Sequence, residues 1–147
     1  MRIVPVVLLV TALTLPACAA DDNIPDQQKI SILEQRASQA QPREQAYLYA
    51  ELVHEMIEYS ARQYAAGDTT QATGLLKKAQ AFTHKLHVLI SANDKKLKDA
   101  QILLRHTAFR LTEMLHSSDY QDRPLVEQTL TQLNEAQNDA MLAVFKK

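Results

Sequence analysis

The residues of this chain that could do chemistry are five histidines, one cysteine and a scatter of carboxylates. Two Glu-x-x-His motifs stand out, Glu51-Leu52-Val53-His54 and Glu113-Met114-Leu115-His116. On a helix this spacing sets a carboxylate and an imidazole one turn apart, the arrangement from which dinuclear iron sites in helix bundles are built. Such a site also takes a Glu from each of the other two helices, and the stretch from Thr69 to Ala92 holds no acidic residue. Glu51 and Glu113 also fall off the apolar stripes, so all four residues read as solvated helix-face side chains. His84 and His87, one turn apart, have the spacing closest to a metal site. Two imidazoles alone make an open, weak site, whereas structural zinc wants four ligands. They read as exposed, as does His106, and Met56 and Met114 read as core filler. No metal or other cofactor is expected.

Nucleophilic catalysis finds no supporting pattern. There is no Gly-x-Ser-x-Gly elbow, and the serines fall at helix breaks or faces where capping explains them. With only Gly67 and Gly74 in the chain, no phosphate-cradling loop is expected. The run Lys95-Lys96-Lys98 reads first as a solvated loop and second as a contact for anionic lipid or a partner. These residues predict no catalytic group.

The elements that would position them are helices. Ala, Leu, Gln, Glu and Lys dominate the body, Trp is absent and β-branched residues are sparse, a composition of strong helix formers. Pro25-Asp26 starts a short helix with Ile30, Leu33 and Ala37 at helical spacing, interrupted at Gln41-Pro42. A long helix follows from about Arg43 to Ala66, with Ala46, Ala50, Val53, Ile57 and Tyr64 on one stripe. Gly67 ends it as a left-handed cap, and Asp68 caps the next helix with Gln71 at the capping-box position. That helix runs to about Ala92 through Ala72, Leu75, Leu76, Ala79, Phe82, Leu86 and Leu89. A third carries Leu97, Ala100, Leu104, Thr107, Ala108, Leu111 and Leu115. Asp122 and Pro124 open a fourth through Val126, Leu130, Leu133, Ala140, Met141 and Val144.

Short breaks make sequence neighbours antiparallel, and the stripes keep the near-3.5 spacing of a bundle or coiled coil. The fold expected is all-α: an up-down-up-down four-helix bundle with a short N-terminal helical arm. Its divisions are a signal peptide over 1–20, the arm over 21–41 and the bundle over 42–147. The first long helix is net acidic and the third leans basic, so alternating signs help specify pairing. The first long helix also carries a second apolar line, Leu48, Leu52, Met56 and Tyr59. The arm could cover it through Ile30 and Leu33, or it could serve as a homodimer seam or a docking surface for another protein.

The first twenty residues address the chain. Arg2, the apolar run Ile3–Leu15 and the small residues Pro16-Ala17-Cys18-Ala19-Ala20 have the layout of a bacterial secretory signal. The apolar run is shorter than the roughly 20 residues of a permanent bilayer span. Ala17-Cys18-Ala19 suits cleavage after Ala19 or Ala20. Leu15-Pro16-Ala17-Cys18 resembles a lipobox, in which Cys18 becomes an acylated N-terminus. The two routes give a periplasmic or secreted protein, or one lipid-anchored to the envelope. Losing Arg2 from 16 basic residues leaves 15 against 17 acidic, which is no electrostatic footprint for nucleic acid.

The stretch Tyr59 to Lys85 resembles a tetratricopeptide hairpin: Gly67 sits at the turn, Ala72 and Ala79 at the small positions and Leu76 at the large one between them. The closing Pro of that repeat is replaced by His84, and no second copy follows. The resemblance implies protein binding. Periplasmic helical stress chaperones carry a Leu-Thr-x-x-Gln signature, which Leu130-Thr131 and Leu111-Thr112 begin without completing. The sequence therefore predicts an exported, non-enzymatic helical bundle that binds or scaffolds another protein in the periplasm or at the envelope. The alternative is a bundle holding a metal, haem or apolar small molecule.

Overall fold

A computed structural model describes residues 25–146. The signal segment and Cys18 lie outside the described residues. Five helices account for most of the chain: α1 (Asp26–Gln39), α2 (Pro42–Ala65), α3 (Thr69–Leu89), α4 (Leu97–Ser117) and α5 (Arg123–Phe145), with no strand among the described residues. The fold is all-α.

Local chemistry explains each break. Ala40 and Gln41 are extended, as a residue preceding Pro is driven to be, and Pro42 then opens α2 where its missing N–H is no loss. At the other end of α2, Gly67 takes φ +83, the Asp68 N–H bonds to Gln63 O and the Gly67 N–H to Tyr64 O. This is a Schellman ending, for which glycine fits the left-handed position. The Asp68 side chain then accepts the Gln71 N–H at 3.0 Å. The reciprocal half of the capping box is absent, because the Gln71 amide donates instead to the Tyr59 hydroxyl at 2.8 Å.

Cross-helix contacts set the directions. Tyr59–Gln71, Ser60–Ala72 and Tyr49–Phe82 run in opposite senses, so α2 and α3 form an antiparallel hairpin. Lys95–Glu44, Thr107–His54 and Arg110–Glu58 advance together, so α4 lies parallel to α2. Gln80–Thr129 and His87–Asp139 likewise make α3 and α5 parallel. The backbone of α2 lies against α3 and α4, and that of α5 against the same two, while the backbones of α2 and α5, and of α3 and α4, stay apart across the diagonals. The segment 90–96 therefore crosses a diagonal. Two hairpins lie side by side, α2–α3 against α4–α5, and direct packing of α3 on α4 as sequence neighbours does not occur.

α1 runs antiparallel along α2, held by Arg62–Asp26, Lys29–Glu55 and a bond from Gln45 to Ala37 O. It inserts Ile30, Leu33 and Ala37 into the same core as the other helices. α2 thus has three neighbours, and Leu52, Val53, Met56 and Ile57 have no exposure at all. Burying each such side chain is worth about 1.5–3 kcal/mol. The expected partner surface is overturned here: Leu52 and Met56 are fully buried, and Leu48 and Tyr59 are half-buried against the core. The cause is α1, whose apolar face occupies that line.

The stripes need smaller corrections. Met141 is exposed, and Ala136, Ala143 and Thr129 take the inward positions of α5. Met114 is buried where Leu115 is half-buried. Thr83, Thr107 and Thr129 are buried because each hydroxyl donates to the carbonyl four residues back, at 2.8, 2.8 and 2.7 Å. A threonine satisfied in this way packs like a valine.

Candidate functional site

The residues singled out for chemistry do not converge. His54 sits half-buried in the α2–α4 seam, with Nδ1 2.8 Å from the Thr107 hydroxyl. That hydroxyl donates to Leu103 O, so it accepts from the ring. His116 is exposed in the last turn of α4. It lies nine residues beyond Thr107, about 14 Å along the helix, so the two Glu-x-x-His motifs cannot share an ion. His84 is exposed, and His87 pairs through Nδ1 with Asp139 on α5. Among the described residues, no three His, Cys, Asp or Glu side chains come together as metal ligands.

A different group of residues does converge, at the end of the molecule where α2 and α4 finish and α3 and α5 start. A cleft of about 480 Å³ is lined there by Tyr64, Arg110, Glu113, Ser117, Asp119 and Asp122, with Ala61 and Met114 as apolar wall. Helix ends bring these residues together: Tyr64 is one turn short of the Gly67 cap, and Asp122 precedes α5.

Three buried side-chain polar atoms lack a hydrogen-bond partner among the described residues, and two of them belong to this cleft: the Tyr64 hydroxyl and Arg110 Nε. Buried polar groups are nearly always bonded, since leaving one unsatisfied costs about 1–3 kcal/mol. Arg110 is partly served. Its Nη1 donates to Glu113 at 3.1 Å, and Nε lies 3.4 Å from Glu58 Oε2, an ion-pair distance without hydrogen-bond alignment. Tyr64 is not served. Burial, and after it the negative charge of Asp122, push its phenol from 10.0 up to about 12. It stays protonated, able to donate and to accept.

The lining carries three carboxylates against one guanidinium, a net charge of −2. The Ser117 and Ser118 hydroxyls both donate to Met114 O. The arrangement can therefore receive a small molecule with a cationic or donor-rich head on the carboxylates and Tyr64, and an apolar body on Ala61 and Met114. The sequence held one faint signal of this, a tyrosine closing an otherwise aliphatic stripe. The rest depends on which helices meet. No family model, curated protein or solved structure matches this chain.

Proposed function

We propose that this chain is a non-catalytic binding protein, exported by its N-terminal segment, whose binding site is the cleft around Tyr64. The observation that carries this reading is that Tyr64, whose buried hydroxyl lacks a partner, lines one concavity together with three carboxylates, which supports a donor-bearing ligand there. The charge of the lining favours an amine-bearing ligand. The test is thermal stabilisation by a panel of primary amines and amino acids, run on the native chain, Tyr64→Phe and Asp122→Asn. At least one compound is expected to raise the melting temperature of the native chain, with the shift lost in both variants. Equal shifts in all three proteins would place the ligand elsewhere and sink the reading.

A second reading keeps a protein partner, or a second copy, and rests on a separate observation. At the opposite end of the molecule Val88, Leu142 and Phe145 are 71%, 56% and 80% exposed. Large exposed apolar residues near the ends of two parallel helices favour an interface over a solvated surface. Sedimentation of the purified chain distinguishes the two, since a monomer at all concentrations removes self-association.

A further inference from the structure

Positive charge gathers where α2 and α4 begin. A pocket of about 230 Å³ there is lined by Arg36 from the last turn of α1, by Glu44, Tyr47 and Leu48 of α2, and by Lys95 and Lys96. Lys95 pairs with Glu44 at 3.2 Å. The Lys96 ammonium lies 4.8 Å from the centre of the Tyr47 ring. Neither Lys96 nor Arg36 forms an ion pair with a described carboxylate.

Three cations against one carboxylate leave two positive charges uncompensated in the pocket wall, in a chain whose formal charge is −1. Like charges lining one pocket repel one another in the folded state, and hydrogen bonds fix the backbone that carries the two lysines. The Lys95 N–H donates to Arg43 O at 2.8 Å, and Arg43 in turn donates from Nε to Asn93 O at 2.8 Å. Lys96 sits at φ 54, a left-handed backbone that residues other than glycine rarely adopt. α4 also starts here with no side-chain cap on its first N–H groups.

We propose that this pocket binds a phosphoryl group. A carboxylate would offset only one of the two surplus charges. A phosphate monoester carries about −1.5 to −2 at pH 7, which matches both. It also has enough acceptor oxygens for the planar fork of Arg36 and two ammonium groups at once. Tyr47 and Leu48 supply a wall for whatever the phosphate is attached to. A soluble phosphate ester and a phospholipid headgroup share this chemistry. The site is separate from the Tyr64 cleft and does not depend on it.

The test has two arms on the full chain. In the first, inorganic phosphate is titrated and backbone amide shifts are followed by NMR, with sodium chloride at matched ionic strength as control. Saturable shifts are expected at Arg36 and at Lys95 to Leu97. Arg36→Glu with Lys96→Glu weakens that binding by about tenfold or more, Arg36→Gln with Lys96→Gln weakens it less, and Lys98→Glu leaves it unchanged. All these side chains are exposed, so the fold is expected to survive, as circular dichroism checks. The second arm sediments the protein with phosphatidylcholine vesicles, with and without phosphatidic acid. Pelleting that needs phosphatidic acid and is lost in the double Glu variant assigns the lipid source. Phosphate binding without pelleting assigns the soluble one. Shifts that never saturate, or an affinity untouched by the double variant, overturn the proposal.

Discussion

At the scale of single residues, Tyr64 makes the sharpest prediction. Removing a buried hydroxyl that has no partner should cost nothing, so Tyr64→Phe leaves the ligand-free chain as stable or raises stability by up to about 1 kcal/mol in chemical denaturation. A loss of that size instead would mean the hydroxyl is already satisfied. Because folding raises the phenol from 10.0 to about 12, the folded state holds that proton more tightly than the unfolded chain. The contribution is complete below pH about 10 and disappears as pH rises toward about 12. Near-ultraviolet titration should show a tyrosine component ionising near pH 12, and that component should be missing from Tyr64→Phe. Gly67→Ala, forced to φ +83, should cost about 1–2 kcal/mol even though nothing crowds the added methyl. Residues such as Gly67 and Asp68 were legible in the sequence because a turn is decided within a few residues. Thr83 and Thr129 were not, since a hydroxyl reads as surface until its bond to the carbonyl four back is known.

Among the elements, α1 decides most about the surface. The spacing of Ile30, Leu33 and Ala37 made the helix legible, and so did the surplus apolar line on α2. What the sequence left open was whether one covered the other, because both outcomes bury apolar area and periodicity does not say against what. With α1 seated, Leu33→Ala should destabilise by about 2–4 kcal/mol in urea unfolding. A chain lacking residues 26–39 should expose Leu48, Leu52, Met56 and Tyr59 and self-associate in sedimentation. If it stays monomeric and equally stable, α1 is not the lid described. The helix limits were read to within a few residues, the largest miss being the end of α3 at Leu89, short of Ala92.

For the whole molecule, the charge pattern was legible but its partners were not. The acidic α2 does meet a basic helix, yet that helix is α4, two elements away, in parallel. Sequence pattern ranks faces; it does not say which hairpin lies against which. Zero-length carbodiimide cross-linking tests the arrangement directly. Lys95–Glu44 and Lys29–Glu55 links should form, at 3.2 and 2.7 Å, and none should join the lysines of α3 to the carboxylates of α4, whose backbones stay apart across the diagonal. Between the two hairpins, the described polar contacts are His54–Thr107, Gln80–Thr129 and a few ion pairs, each of modest strength. Only the diagonal segment 90–96 ties the hairpins covalently. Shorten that tether and the α4–α5 hairpin can no longer reach its place beside its own partner, but it can reach the same place on a neighbouring copy. A small deletion there should therefore give an exchanged dimer, each half built from two molecules with the packing of α2–α3 against α4–α5 kept.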